Sequence, residues 1–176
     1  ISGATELKVK LTDLSGLVPA SGVGAVSLNV TVTQPDGAGY VTVYPCGTRP
    51  NASSLNYTAG ETIPNAVIAP VSAQGEVCFF STQPTHILAD VNGWFASGSS
   101  FTSVSPSRVF DTRPGEGGLR TVSKVKISGA TELRVKLTNL SGLVPATGVG
   151  AVSMNVTVTQ PDGAGYVTVY PCGTRP

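Results

Sequence analysis

Gly24-Ala25-Val26-Ser27-Leu28-Asn29-Val30-Thr31-Val32-Thr33 decides the fold class. Val26, Leu28, Val30 and Val32 alternate with Ser27, Asn29, Thr31 and Thr33. Side chains on a strand point to opposite faces in turn, so this stretch predicts a half-buried strand with its aliphatic residues inward. Leu7, Val9 and Leu11 alternate with Lys8 and Lys10 in the same way, which predicts an earlier strand with a charged outer face. Thr12–Gly24 holds Gly16, Pro19, Gly22 and Gly24 and reads as a loop. Gln34-Pro35-Asp36-Gly37-Ala38-Gly39 reads as a turn, with Tyr40–Tyr44 returning as the partner of a hairpin.

Further strands are expected at Ser54–Thr58, Asn65–Val71, Glu76–Ser81 and His86–Phe95, and near Arg108–Thr112 and Thr121–Ile127. Asn65–Val71 is apolar on both parities, as in a strand buried between layers. No segment sustains a 3.6-residue period. Many short strands separated by Gly and Pro predict an all-β fold. The expected architecture is an antiparallel β-sandwich of jelly-roll or immunoglobulin-like type.

Outward from that strand lies a repeat. Ile1–Pro50 returns 126 residues later as Ile127–Pro176, identical at 46 of 50 positions. The differences are Lys8/Arg134, Asp13/Asn139, Ser21/Thr147 and Leu28/Met154. All are mild, and Leu28/Met154 reads as a volume-conserving core exchange. A period of this length is a domain and not a solenoid unit. The sequence therefore predicts a stretch of a longer tandem array. Its first unit, 1–96, would lack opening strands, Ser97–Ser100 would be a linker, and the second unit, 101–176, would lack closing strands. Strands missing from each unit are expected to come from outside it, either from the continuation of a longer tandem chain or from a neighbouring copy docked head to tail.

Composition narrows the function classes. Charged residues make up 12% and the net charge is +1, so no basic field exists to attract nucleic acid. No apolar run approaches the ~20 residues that span a bilayer, and membrane insertion is not expected. Cys46 and Cys78 share one period and lie on or beside neighbouring strands, which reads as a disulfide of a secreted protein. Cys172 copies Cys46 without a copy of Cys78 after it. No Cys/His cluster suggests zinc, and no cofactor is implied. His86 is the single histidine and has no acidic neighbour in sequence, which argues against a catalytic triad. Asp90, Asp111 and Glu116 are the carboxylates available for glycosidase chemistry, but nothing brings them together. The sequence therefore predicts a protein that is not an enzyme.

The remaining candidates each have a plain reading beside the functional one. Asp111 and Arg113, two apart, would share a strand face, and Asp90 sits among apolar residues, so a structural charge network is expected of the three. Asp90-Val91-Asn92-Gly93 has a faint calcium-loop pattern that the following Trp94-Phe95 strand residues oppose. Tyr40, Thr42 and Tyr44 share the face opposite Val41 and Val43 and offer a stacking platform for a sugar ring, or cross-strand packing. Gly22-Val23-Gly24 and Gly115-Glu116-Gly117-Gly118 lack the following helix of a phosphate loop.

One resemblance runs through these motifs. It rests on Ser105-Pro106-Ser107-Arg108-Val109-Phe110-Asp111-Thr112-Arg113-Pro114-Gly115, Leu28-Asn29-Val30-Thr31-Val32-Thr33, Gly39-Tyr40-Val41-Thr42-Val43-Tyr44-Pro45 and Ala89-Asp90-Val91-Asn92-Gly93-Trp94-Phe95. In that combination the chain resembles a repeat module of roughly 120 residues, found in secreted and surface proteins of actinobacteria and related bacteria. The resemblance implies secretion and a β-rich fold, and it names no ligand. The function expected is an extracellular structural repeat forming a stalk, spacer or fibre; the alternative is a module that binds surface glycans.

Overall fold

The computed structural model describes residues 1–129 and 131–174. It divides into two compact units, Ile1–Arg108 and Val109–Pro176. The division lies beyond Ser97–Ser100, because that segment and the residues after it pack onto the first unit. Ser97 N–H donates to the Gly22 carbonyl, and the Phe101 ring lies 4.6 Å from that of Phe95.

The first unit is an all-β sandwich of seven strands, β1 (Thr5–Lys10), β2 (Val23–Thr33), β3 (Gly39–Pro45), β4 (Leu55–Tyr57), β5 (Thr62–Pro70), β6 (Glu76–Ser81) and β7 (His86–Ala96). One antiparallel sheet has the order β1-β6-β3-β4, the other β5-β2-β7. Val26, Leu28, Val30 and Val32 of β2 meet Val41 and Val43 of β3 across the interior, all fully buried. Leu55, Ala69, Val77 and Phe79 complete that core. Thr31 and Thr33 are more exposed than Val30 and Val32, so the register read from the alternation is correct.

Topology holds the main departure from expectation. β2 and β3 do not form a hairpin. The Gln34–Gly39 turn carries the chain from one sheet to the other, and Gln34 takes a positive φ of 53° there. Gly39 is required at its end: a Cβ would stand 2.2 Å from Thr82 Oγ1 and 2.8 Å from the Tyr57 hydroxyl.

The pairing has a consequence that periodicity does not reveal. β1 pairs only with β6, β2 only with β5 and β7, and β3 only with β4 and β6. Every ladder partner of the repeated block therefore comes from residues 55–96. The two halves of the unit interleave like fingers, and neither contains a ladder of its own.

Two expectations about single strands change, and one about the whole unit. The expected strand Asn65–Val71 falls, save Val71, in the edge strand β5, with Pro64 and Ala66 exposed and Val67 and Ala69 turned inward. An edge suits it, since Pro64 and Pro70 cannot donate to a second ladder. Leu7 is 44% exposed, because β1 is also an edge and the cover over it is thin. The first unit is closed within one chain, without outside strands, since its core valines are fully buried.

The second unit follows the opposite course. None of its described residues lies in a strand; a single bridge joins Leu140 to Val144. The strands expected near Arg108–Thr112 and Thr121–Ile127 are not present. Val156, Val158, Val167 and Val169 are 45–60% exposed, although their counterparts Val30, Val32, Val41 and Val43 are fully buried. Met154 is 40% exposed, so the Leu28/Met154 pair is not a core exchange in both units.

Candidate functional site

Cys46 follows β3 and Cys78 lies on β6, in a register that sets Tyr44 opposite Cys78. Their Cα atoms are 4.9 Å apart and the disulfide is formed. The bond pins the start of the loop 46–54 to the outer face of the four-stranded sheet. The loop then covers that face. Thr42 Oγ1 donates to the Ala52 carbonyl at 2.6 Å, and the Arg49 guanidinium lies 3.7 Å from the centre of the Phe80 ring.

This cover overturns the stacking platform. Tyr40, Thr42 and Tyr44 share one face as expected, but Thr42 and Tyr44 are fully buried and only Tyr40 reaches the surface. Tyr40 packs in tilted contact with Phe80, with ring centres 6.3 Å apart. No sugar ring reaches the face. Cross-strand packing is the use these residues have.

The Tyr44 hydroxyl bonds the Glu6 carboxylate of β1, reaching over the intervening β6. Burial pushes its pKa up to about 12, the hydrogen bond and negative charge of Glu6 push the same way, and Arg49 opposes them. The sign follows directly. A folded-state pKa raised above the unfolded value near 10 favours the neutral phenol, so the stabilisation is complete below pH 10 and is lost as pH rises from 10 to 12. A spectrophotometric titration at alkaline pH should show one tyrosine ionising last, together with falling stability; in Tyr44→Phe that late step should vanish. Persistence of the late step in the variant would assign it elsewhere.

Of the three residues expected to share a charge network, Asp111 and Arg113 meet, and Arg113 also lies 3.9 Å from Glu116. In the second unit Arg113 donates through Nε and Nη2 to Asp111 Oδ1 and Oδ2, at 3.1 and 2.7 Å, and its backbone N–H donates to Oδ1 at 3.0 Å. Asp111 is buried, and the paired carboxylate raises the Arg113 pKa further. No strand is needed; the turn alone brings the two together. Asp90 is exposed on the outer face of the three-stranded sheet, in register with Asn29, and needs no buried partner. His86 is likewise exposed at the start of β7. Among the described residues no three His, Cys, Asp or Glu side chains gather closely enough to hold a metal ion. No helix among them is long and apolar enough to cross a membrane.

One surface feature was not legible beforehand. The loop after β1 folds back through the Leu14–Val18 bridge and leaves an open cleft of about 360 Å³, lined by Asp13, Leu17, Pro19 and Trp94. Trp94 is 40% and Leu17 68% exposed. A bulge in β7 between its pairings to Ser27 and Leu28 sets the position of Trp94. Nothing in the 12–24 loop composition signals which strand it will meet.

Comparison with known protein families, curated proteins and solved structures finds no match.

Proposed function

We propose that this chain is a non-enzymatic, extracellular structural repeat, a spacer or stalk made by stacking a 126-residue module. The observation that carries the reading is the recurrence of a 50-residue block, 46 positions unchanged, whose every ladder partner lies in the stretch that follows it. Selection for a varied binding surface would diversify exposed positions such as Lys8, Lys10 and Ser21, yet these recur as Arg134, Lys136 and Thr147 with little change. The Cys46–Cys78 disulfide supports an oxidising compartment outside the cell or at its surface. The resemblance to the actinobacterial surface module supports the same setting.

A second reading has one observation in its favour: an exposed tryptophan beside Asp13 in an open cleft, an arrangement able to stack on a sugar ring while bonding its hydroxyls. A glycan-array screen separates the two. The spacer reading expects no reproducible binding to any glycan class. Binding that Trp94→Ala abolishes would replace it with the adhesive reading.

A further inference from the structure

The cleft of about 360 Å³ beside Trp94 is apolar on most sides and charged on one. Leu17, Val18 and Pro19 give it an aliphatic wall, Trp94 an aromatic one, and Asp13 a negative charge. Asp13 is exposed, and no donor among the described residues meets its carboxylate. Ser15 is the only other side chain of the lining that can accept a hydrogen bond.

The loop that carries Asp13 holds one shape. Asp13 and Ser15 take φ of 63° and 22°, left-handed values that such side chains rarely adopt, and Gly16 takes 81°. The N–H groups of Asp13 and Leu14 donate to the carbonyls of Pro19 and Val18, both at 3.1 Å. The copy of this loop in the second unit repeats the arrangement. Asn139, Ser141 and Gly142 have φ of 55°, 33° and 78°. Asn139 and Leu140 donate to Pro145 and Val144 at 2.9 and 3.0 Å. The shape therefore belongs to the loop's own sequence. Arg120, in the segment before that copy, donates to the Asn139 carbonyl at 2.8 Å and leaves its side chain unbonded. The Asp13/Asn139 difference thus removes a charge and keeps the backbone.

We propose that the cleft binds a quaternary trimethylammonium group, with the methyls against Trp94 and the aliphatic wall and the charge answered by Asp13. Other ligand classes fit the lining less well. An anion meets the Asp13 carboxylate and is repelled. A sugar brings several hydroxyls to a lining whose side chains offer only Asp13 and Ser15 as acceptors. A primary ammonium has three N–H donors and loses strong hydration on entering. A trimethylammonium group has no N–H to satisfy, and its positive charge is attracted to the face of an indole. One ring and one carboxylate, both partly open to water, set an affinity of roughly millimolar.

This inference goes beyond the spacer reading and does not rest on it. A failed titration leaves that reading standing, and a negative glycan screen leaves the titration untouched. Trp94 is the single tryptophan, so the indole fluorescence of the intact chain reports on this cleft alone. Choline chloride, titrated at constant ionic strength, should give a saturable change with Kd of roughly 1 mM. The tert-butyl analogue of choline, in which carbon replaces the charged nitrogen, should bind at least about tenfold more weakly. Ethanolamine should bind at least about threefold more weakly than choline. Asp13→Asn, the residue that the copy of the loop already carries, should keep the melting temperature and weaken choline binding at least about threefold. Broadening of the choline methyl signal in proton NMR gives a second readout, and Trp94→Ala should abolish it. Vesicles of phosphatidylcholine identify the source of the group. Co-sedimentation that free choline suppresses places it on a lipid headgroup, absence of co-sedimentation places it on a soluble molecule, and both are consistent with the proposal. No saturable change up to roughly 50 mM choline would overturn it. So would equal binding of the tert-butyl analogue, unchanged affinity in Asp13→Asn, or displacement of choline by a glycan.

Discussion

Val30→Asp should unfold the first unit, whereas Val156→Asp, the same change at the same place in the repeat, should leave its melting unaltered. Val30 is fully buried near the centre of β2, in the core between the two sheets. A carboxylate there loses the aliphatic burial and gains a charge with no partner in reach, a penalty of roughly 4 kcal/mol or more, comparable with the whole stability of a small domain. Val156 is 45% exposed, and a carboxylate there remains hydrated. Scanning calorimetry of the two variants is the measurement. Equal loss from both would mean that the second block is packed as the first is, and the asymmetry between the units would fall.

The disulfide should have the second-largest effect. Cys46 and Cys78 are 32 residues apart in sequence. In the chain-entropy view, closing such a loop in the unfolded state stabilises the fold by roughly 3–4 kcal/mol. For a unit of this size that corresponds to a fall in Tm of roughly 15–25 °C when the bond is removed. The paired change Cys46→Ser with Cys78→Ser should show that fall. Cys172→Ser should show none, since Cys172 is exposed and unbonded. A shift of only a few degrees for the pair would mean that the 46–54 loop holds its place through Thr42, Arg49 and the sheet alone.

What was legible in the chain was whatever depends on neighbours in sequence. The alternation of Val26–Thr33 announced a strand and its buried face, and both are present. The shared face of Tyr40, Thr42 and Tyr44 was equally legible; the cover over it was not, because a loop of Arg49 and Ala52 placed by a distant cysteine leaves no period to read. The turn at Gln34–Gly39 has the composition of a hairpin, and only the choice of sheet for β3, made by β4 and β6, distinguishes a crossing from a hairpin. Asp90 was misplaced for a related reason: Leu88 is exposed beside it, so apolar neighbours in sequence did not mean an apolar surround. The second block is the strongest case. A block identical at 46 of 50 positions forms three strands in one setting and none among the described residues of the other, so its local signals, though unchanged, do not suffice.

The interleaving also makes time a determinant of which block wins. During synthesis β1–β3 emerge with nothing to pair with and must wait for residue 96, the end of β7. A sandwich dominated by distant pairings then folds in milliseconds to seconds. Translation at roughly 5–20 residues per second needs about 4–15 s more to deliver the 76 residues from 96 to Cys172. The earlier block can close over β4–β7 before its near-identical rival exists. Two blocks that equilibrium contacts alone barely distinguish are told apart by the order in which the ribosome makes them.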